Sequence, residues 1–257
     1  MIEKTQLQQQ PDESSCMRSE VVRTEAEEIR IFDKNIMIYS EKLSFLSKEL
    51  YVYYMDNSVL NDDGLFEICL GQISEFRREK VKRFKKRKSM NQSLGASILL
   101  YYGLQKYGLC EKNMKYRNGE NGKPYFASES NENGSIPYFS ISHSGDISLA
   151  AFSNVEIGCD VERIAEYKSG IPERFFCADE QEYIRTGTVA AVREAGDAIT
   201  NTVPERFYSI WTRKESYLKL TGDGLRRKLS SFSVLNMDGI YFLEPNGIPG
   251  YAMCCCI

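Results

Sequence analysis

The spacing of apolar residues predicts two long amphipathic helices, one in each half of the chain. Over residues 89–107 large apolar side chains recur every three or four positions, with Ser89 as a candidate N-cap and Gly108 as a stop. A second periodic segment begins at Pro204, which suits a first helical turn, and ends before Gly222. The apolar positions are Met90, Leu94, Ile98, Leu99, Tyr102 and Leu104 in the first segment and Phe207, Ile210, Trp211, Tyr217 and Leu218 in the second.

Runs in which apolar and polar residues alternate predict strands around both helices. The runs cover residues 50–56, 138–142, 148–153, 157–162, 232–235, 240–243 and 251–257. Tight turns are expected at residues 143–146 and 238–239, each between two of these runs. Because each half of the chain combines strands with a long helix, the pattern indicates an α+β domain in each half.

Residues 73–88 form a very basic segment with a narrow apolar stripe. Nine of the twelve residues at positions 77–88 are Lys or Arg, and Ser74 is a candidate helix N-cap. Like charges this dense repel one another and weaken an isolated helix, so a bound anion is an economical explanation. A solvated basic face and a nucleic-acid-binding patch are the alternatives, although no recognition-helix or RNP pattern accompanies the charge.

Three carboxylates stand at spacings that suit a metal site. Asp160 and Glu162 alternate with apolar residues, so on a strand they leave the same face. Two carboxylates directed into one space repel unless a positive charge lies between them, and a divalent cation meets that need. Glu215 lies four residues before Lys219 on the second helix, which places both side chains on one stripe with Trp211. Taken singly, a solvated strand face and a surface ion pair also explain these patterns.

The single histidine, His143, lies at the end of a predicted strand beside Ser142. At a strand end, small polar groups and exposed backbone N–H groups can meet a phosphate. A lone histidine is also commonly structural. No Ser/His/Asp order elsewhere in the chain supports a role as the base of a nucleophile.

Composition narrows the class of protein. Of the 257 residues 42% are hydrophobic, enough for a core, and the net charge of −3 argues against an electrostatic nucleic-acid binder. No apolar run approaches the ~20 residues of a membrane span, and the N-terminus lacks the apolar core of a signal peptide, so we expect a cytoplasmic protein. The eight cysteines show no C-x-x-C spacing, which argues against a zinc knuckle. The three cysteines at 254–256 are expected to be small apolar fillers on alternate faces of a strand.

Three motifs follow one another along the chain: His143-Ser144-Gly145, Gly158-x-Asp160-x-Glu162, and Trp211-x-x-Lys214-Glu215-x-x-x-Lys219. Supporting motifs are Gly122-Lys123-Pro124, Arg174-Phe175-Phe176 and Ser231-Phe232-Ser233-Val234. Their order and gaps resemble those of the 4'-phosphopantetheinyl transferases, in particular the double-length type that serves peptide synthetases and polyketide synthases. The resemblance covers roughly residues 70–235.

The resemblance implies an α+β fold in which two similar halves pack as an intramolecular pseudo-dimer, with the active cleft between them. The expected divisions are a poorly ordered or peripheral N-terminal extension at residues 1–37, an N-terminal α+β half at 38–156 and a C-terminal α+β half at 157–257. The polar composition of the first 35 residues suits a loosely ordered or helical segment, and the ordered fold is expected to start near residue 50. A monomer is expected because one chain supplies both sides of the interface.

The resemblance also implies an enzyme that transfers 4'-phosphopantetheine from coenzyme A to a serine of an apo acyl or peptidyl carrier protein and releases adenosine 3',5'-bisphosphate. The implied Mg²⁺ ligands are Asp160, Glu162 and Glu215. Glu215 is also the expected base for the serine proton, and Lys219 the expected group that stabilises the leaving group. The implied coenzyme A contacts are Arg77, Lys80, Lys123, Pro124, Ser142, His143, Lys214 and Lys219. Neither nucleic acid nor a membrane is an expected partner.

The chain departs from the family pattern at one phosphate contact. Asn91 and Gln92 stand where family members usually carry a phosphate-binding arginine, and Lys88, about one turn earlier, is the candidate replacement. Two alternatives to the transferase stay open on these residues. One is a basic-helix nucleic-acid or protein-interaction module, whose binding would fall steeply with salt and need no magnesium. The other is a catalytically degenerate transferase homologue.

A further helix is expected to open at Asp179, with Glu182 completing a capping box. Glu180, between them, falls on the family's position for an additional acid near the metal. As a first-turn acid favoured by the helix dipole it is explained equally well. Residues 186–203 are expected to form a loop or lid.

Overall fold

The computed structural model describes residues 20–23, 27–31, 34–45, 48–119, 122–127, 136–167, 170–188, 202–245 and 247–257. The strands of the first half are β1 (Glu20–Arg23), β2 (Glu27–Ile31), β3 (Lys34–Phe45), β4 (Lys48–Asp56), β5 (Tyr116–Asn118), β6 (Pro124–Phe126), β7 (Tyr138–Ser144) and β8 (Ile147–Ser153). Its helices are α1 (Asp63–Gln72), α2 (Glu75–Lys82) and α3 (Arg87–Lys106). The second half holds β9 (Gly158–Arg163), α4 (Ile171–Phe175), α5 (Ala178–Thr186), α6 (Val203–Thr221), β10 (Phe242–Leu243) and β11 (Tyr251–Cys256). The mixture confirms the α+β class.

The first half is built on a six-stranded antiparallel sheet. Its path runs β1-β3-β4-β8-β7, and β2 pairs with β3 beside β1. Helix α3 packs on one face, where Leu94 and Ile98 are buried together with Phe152 of β8. The close approach requires Gly103, because a Cβ at that position would lie 2.1 Å from the Phe152 ring. The predicted helix and the β7–β8 hairpin are therefore both present.

The second half is a three-stranded sheet, in the order β10-β11-β9, covered by α6. Gly158 in β9 allows this contact, because an added Cβ would lie 1.9 Å from the carbonyl oxygen of Ser216 on α6. On β11, Cys255 packs into the core shared with the first half, whereas Cys256 packs with the aromatic residues around α6. Cys254 lies against Ser216 and is also buried. The prediction of three small buried fillers on alternate faces is confirmed.

A shared apolar cluster joins the two halves. Its members come from β3, β4 and β8 of the main sheet and from β9 and β11 of the second sheet: Leu43, Leu50, Val52, Leu149, Cys159, Val161, Met253 and Cys255. Beside this cluster, hydrogen bonds from Ser142 to Asp160 and from Ser144 to Glu162 connect β7 with β9. Side chains of both strands therefore reach the same junction between the halves.

The N-terminal segment differs from the expectation. Strands β1, β2 and β3 occur where a loosely ordered or helical extension was expected, and β3 crosses the expected boundary at residue 37. On β3, Ile36 and Ile38 are buried in the core, and the buried carboxylate of Glu41 accepts hydrogen bonds from Tyr54 Oη at 3.1 Å and from the Gly247 N–H at 3.3 Å. Polar residues interrupt the apolar alternation of this strand, which hid it from the sequence pattern. Residues 1–19 lie outside the described part of the chain.

We expect Leu43→Ala to lower the free energy of unfolding by about 2–5 kcal/mol, because Leu43 is 1% exposed and its removal leaves a cavity at the junction. The measurement is urea unfolding followed by circular dichroism. Met37→Ala on the same strand is the matched control, since Met37 is 41% exposed and its truncation should change little. Equal stabilities of the two variants would show that β3 is not part of the core.

The basic segment divides between two helices. Ser74 caps α2 by accepting a hydrogen bond from the Arg77 N–H at 3.3 Å, as predicted. Helix α2 ends at Lys82, however, and α3 begins at Arg87 with Lys86 as its N-cap, so the expectation that Ser89 caps this helix is wrong. The break shortens the line of like charges on either helix, which relieves their mutual repulsion.

Three further predictions for the second half are corrected. The N-cap of α5 is Cys177, and Glu180 completes its capping box in place of Asp179 and Glu182. Residues 232–235 form no strand; they follow a 3-10 turn at Leu229–Ser231, and Phe232 packs in the core beneath α6. The turn at residues 238–239 joins no two strands within the described residues. Most of the loop or lid expected at residues 186–203 lies outside the described residues.

The helices that the structure describes include none with the length and apolar character needed to cross a membrane.

Candidate active site

Helix α6 carries three candidate residues, Lys214, Glu215 and Lys219, and its ends are as predicted. Thr202 and Glu205 form a capping box, with the Thr202 N–H donating to Glu205 Oε2 at 2.6 Å and the Glu205 N–H donating to Thr202 Oγ1 at 3.4 Å. Gly222 ends the helix in the left-handed conformation at φ 73°. Trp211 packs against the Phe207 ring, which supports its assignment to packing. Because both of its ends are fixed, α6 holds the stripe that carries Glu215 and Lys219 in one position.

Asp160 on β9 is almost fully buried, with 4% of its surface exposed. Its Oδ1 accepts hydrogen bonds from Ser142 Oγ and from Lys219 Nζ, each at 2.7 Å. Lys219 Nζ also donates to Ser142 Oγ at 2.8 Å. Asp160 Oδ2 is buried and has no hydrogen-bond partner among the described residues. A buried carboxylate oxygen without a partner costs free energy, so this oxygen is suited to a cation.

Glu162 and Glu215 share the space around Asp160. Burial raises the pKa of Glu162, and the charges of Asp160 and Glu215 raise it further, whereas the Ser144 hydroxyl and Lys219 lower it. Burial also raises the pKa of Glu215, followed by the charge of Asp160, while Lys219 opposes both. The charge of Asp160 acts on both glutamates, and that of Glu215 acts on Glu162, so the three carboxylates that the sequence singled out lie within electrostatic range of one another.

The donor set fits a hard divalent cation. Within the described ranges no three acids, cysteines or histidines stand close enough together to hold a metal as they lie, and Lys219 neutralises Asp160 instead. All three acids nevertheless offer oxygen ligands of the kind that Mg²⁺ prefers, and Asp160 Oδ2 has its lone pairs free. Burial is the first cause of the raised pKa values of Glu162 and Glu215, and the negative charge of Asp160 adds to both, which a cation would relieve.

A cleft between the halves adjoins these acids. One cavity of about 350 Å³ is lined by residues of both halves, among them Lys80, Lys123, Pro124, Ser140, Glu215 and Lys219. A second cavity of about 930 Å³ shares Lys123 and Pro124 and is walled by Tyr125 and Tyr138, which are 46% and 45% exposed. Cavities of this size accept drug-sized or cofactor-sized molecules. The cleft therefore has lysines and acids at one end and aromatic rings at the other.

Lys123 lies in the wall of the cleft but is engaged by the protein. Its Nζ donates to Glu156 Oε2 at 2.8 Å, to the Leu220 carbonyl at 3.1 Å and to the Ile157 carbonyl at 3.3 Å. Leu220 lies in the last turn of α6, where a cation is favoured by the helix dipole. Lys123 thus ties the first half to the end of α6.

His143 lies at the end of β7 with an exposed side chain. Desolvation lowers its pKa, and the positive charges of Lys219, Lys80 and Arg77 lower it further, while a hydrogen bond with its own backbone raises it. Desolvation is thus the first cause of the lowered pKa of His143, and the surrounding cations add to it. Cations converging on one point attract an anion, which suits the predicted phosphate end of the cleft.

Arg77 is not among the residues that line the cavity, so its placement does not favour the prediction that it contacts a coenzyme A phosphate. It is 2% exposed, and its Nε donates to Ser97 Oγ at 3.0 Å. Burial lowers its pKa, and the charges of Tyr116 and Glu111 oppose that shift. Of the two residues predicted on this helix, Lys80 is the one that lines the cavity.

Lys214 is also not among the residues that line the cavity, so its placement does not favour the predicted contact with coenzyme A. Both Lys214 and Glu180 have side chains with 0% exposure, and Nζ lies 2.8 Å from Glu180 Oε2. Nζ also donates to the Leu229 and Phe232 carbonyls, at 2.8 and 2.5 Å. Glu180 accepts from two backbone N–H groups at 2.8 Å, including that of Val234. Glu180 therefore holds α5 to α6.

The three residues considered for the missing arginine support neighbouring structure. Asn91 is buried and donates to Asn61 Oδ1 at 2.8 Å. Gln92 Nε2 donates to the Gly145 carbonyl at 2.9 Å, and Lys88 Nζ lies 3.0 Å from Asp146 Oδ1. Gln92 and Lys88 thus hold the turn that follows His143. Lys88 remains exposed, so it stays the candidate replacement.

The sequence analysis missed the roles of Ser140 and Ser144. Ser140 Oγ accepts a hydrogen bond from the Cys159 N–H at 3.0 Å, and Ser144 Oγ donates to Glu162 Oε2 at 2.6 Å. The signal was the recurrence of serine at positions 140, 142 and 144, which on a strand places three hydroxyls on one face.

Comparison with known proteins shows the family of this chain. A family model described as the N-terminal part of 4'-phosphopantetheinyl transferases matches residues 62–154, and a model of the 4'-phosphopantetheinyl transferase superfamily matches residues 156–247. The 4'-phosphopantetheinyl transferase Sfp of Bacillus subtilis strain 168 is 30% identical over 76% of this chain and 80% of its own length. The chain belongs to the 4'-phosphopantetheinyl transferase family.

Other relatives of this transferase carry the same description. The 4'-phosphopantetheinyl transferase gsp of Aneurinibacillus migulanus is 28% identical over 76% of this chain and 80% of its own length. The transferase HetI of a Nostoc strain is 31% identical over 44% of each chain. The resemblance seen in the motifs is confirmed, and the chain is an enzyme of this family. The alternative of a basic-helix interaction module is not favoured.

Proposed function

We propose that this transferase moves the 4'-phosphopantetheinyl arm of coenzyme A to a serine hydroxyl of an apo acyl or peptidyl carrier protein, with adenosine 3',5'-bisphosphate as the second product. The observation that carries the proposal is that Glu215 and Lys219 line a cofactor-sized cleft, with Lys219 bonded to Asp160 and with Glu162 and Glu215 both within the field of Asp160. Such a site can hold a pyrophosphate by charge and leave the phosphorus that carries the pantetheine arm open to attack by the serine oxygen.

Asp160, Glu162 and Glu215 would hold Mg²⁺. When bound, the ion would offset the negative charge that builds up on the pyrophosphate oxygens as the phosphoanhydride bond breaks. Lys219 supplies positive charge from the protein itself, since its ammonium lies 2.7 Å from Asp160 Oδ1. Lys219 also lines the cleft, so its ammonium would stabilise the departing phosphate.

Glu215 is the candidate base. Burial and Asp160 raise its pKa, which makes it a better proton acceptor than an exposed carboxylate. In the proposed step the serine oxygen forms a bond to the phosphorus that carries pantetheine. The bond from that phosphorus to the adenosine bisphosphate breaks, and the serine proton passes to Glu215.

The cationic end of the cleft would hold the 3'-phosphate. Lys80 lines the cavity, and burial together with the charges of Arg77 and Arg83 lowers its pKa. A bound phosphate would relieve this repulsion between cations. Pro124, Tyr125 and Tyr138 would form the apolar wall beside the nucleoside.

We further propose that the enzyme works as a monomer. The residues that line the cleft come from both halves of one chain, with Lys80 and Ser140 from the first half and Glu215 and Lys219 from the second. A second copy is not needed to complete this wall.

The proposed reaction is tested by incubating the protein with coenzyme A, Mg²⁺ and an apo carrier domain, followed by mass spectrometry of the carrier. The expected result is a gain of one phosphopantetheine on the carrier serine and none when Mg²⁺ is chelated. A carrier of unchanged mass, with coenzyme A still bound by the protein, would instead indicate a catalytically degenerate homologue.

We expect Lys80→Ala to raise the KM for coenzyme A by about 10- to 100-fold, because a charge-assisted contact to phosphate contributes about 1.5–3 kcal/mol. The KM for 3'-dephospho-coenzyme A should change much less, since that analogue lacks the phosphate concerned. Lys82→Ala on the same helix is the control, because Lys82 is exposed and pairs with Glu79. Equal effects of Lys80→Ala on both substrates would remove Lys80 from the 3'-phosphate.

A further inference from the structure

The serines of β7 make three hydrogen bonds of different kinds to β9. Ser140 accepts from the Cys159 N–H, Ser142 donates to Asp160 Oδ1, and Ser144 donates to Glu162 Oε2. The three serines follow the two-residue period of β7, and on β9 they meet the backbone of Cys159 and the side chains of Asp160 and Glu162. Because β7 belongs to the first half and β9 to the second, these hydroxyls connect the halves at the acids.

Ser144 has a defined orientation. Its Oγ accepts a hydrogen bond from the backbone N–H of Arg163 at 3.2 Å, which fixes the oxygen. A serine hydroxyl carries one proton, and Ser144 directs it to Glu162 Oε2 at 2.6 Å. The backbone of β9 thus orients the serine, and the serine orients the neighbouring carboxylate of the same strand.

Ser142 differs from Ser144 in its second partner. It accepts from Lys219 Nζ at 2.8 Å and donates to Asp160 Oδ1 at 2.7 Å, so it belongs to the Lys219–Asp160 pair. Ser144 is the hydroxyl that the described structure pairs with Glu162. Loss of Ser144 would leave Glu162, whose pKa burial raises, without this donor.

We propose that Ser144 is a positioning residue of the metal site, which fixes the Glu162 carboxylate through its Oε2. This inference rests on the proposed magnesium site. Outer-shell partners that orient a metal ligand typically contribute about 10- to 100-fold to metal affinity. Ser144 therefore acts on binding of the ion and not directly on the substrates.

The test measures Mn²⁺ binding to the full-length protein without coenzyme A or carrier, by the electron paramagnetic resonance signal of free Mn²⁺. Ser144→Ala should weaken the Mn²⁺ Kd by about tenfold or more, and Ser144→Thr, which keeps the hydroxyl, should restore most of the affinity. The same order should appear in the Mg²⁺ concentration that gives half-maximal transfer, with the KM for the carrier unchanged. An unchanged Mn²⁺ Kd in Ser144→Ala would overturn the proposal.

Two further variants separate this inference from its premises. Ser140→Ala removes a hydroxyl from the same face of β7 that bonds to backbone only, so it should lower the melting temperature without changing the Mn²⁺ Kd. If Ser140→Ala weakens Mn²⁺ as much as Ser144→Ala does, the serines serve packing alone and the proposal is wrong. Asp160→Ala should abolish Mn²⁺ binding. If it does not, the proposed metal site fails, and the role of Ser144 fails with it.

Discussion

Asp160→Ala and Glu215→Ala are each expected to reduce carrier modification by about a thousandfold or more. Both variants remove an oxygen ligand from the proposed metal site, and a bound metal contributes several kcal/mol to the stability of a phosphoryl-transfer transition state, where each ~1.4 kcal/mol is a factor of ten. Glu215→Ala also removes the candidate base. The measurement is the rate of holo-carrier formation at saturating Mg²⁺ and coenzyme A.

The loss should not come from unfolding. The raised pKa of Glu215 means that its charged form is disfavoured in the folded state, so removal of that charge relieves repulsion with Asp160. The melting temperature of the Glu215→Ala variant without metal should therefore be no lower than that of the wild type. Glu166→Ala, at an exposed acid just after β9, is the control and should retain full activity. Wild-type rates in either Asp160→Ala or Glu215→Ala would refute the proposed roles.

Lys214→Met is expected to lower the free energy of unfolding by about 3–5 kcal/mol, because it leaves the Glu180 carboxylate buried without its cation. The variant also removes the donor to the carbonyls of Leu229 and Phe232, which connects α6 with the segment that follows it. The measurement is urea unfolding at neutral pH.

Lys228→Met provides the matched control for that experiment. Lys228 lies in the same segment but is exposed, so its replacement should change the free energy of unfolding by less than about 0.5 kcal/mol. If Lys214→Met is as stable as Lys228→Met but its KM for coenzyme A rises sharply, then Lys214 is a substrate contact after all. The structure leads us to expect the opposite.

The candidate site could be predicted where the backbone alone sets direction. Asp160 and Glu162 share a face because a strand repeats every two residues, and Glu215 and Lys219 share a stripe because a helix repeats every 3.6. Both ends of α6 followed from Pro204 and Gly222. The family of the protein could likewise be inferred, because its motifs follow one another along the chain in the order and with the gaps typical of the family.

The sequence pattern did not distinguish residues of one motif that the fold buries from those that it exposes to the cleft. Lys214 and Glu215 are neighbours in the chain, yet the helix turns Lys214 into the core and Glu215 towards the cleft. Arg77 and Lys80 separate in the same manner on α2, because Arg77 faces Ser97 of α3. Charge alone did not show which of these side chains the fold would bury.

The sequence by itself determined the α+β class, the family and the choice of three acids as candidate metal ligands, because these depend on residue types at short, regular spacings. Only the tertiary structure decided that β3 joins the core between the halves, that Lys214 pairs with Glu180, and that Ser144 holds Glu162. Each of these contacts joins separate strands or helices. Burial and hydrogen-bond partners of that kind are set by packing between elements, which no local pattern of hydrophobic and polar residues specifies.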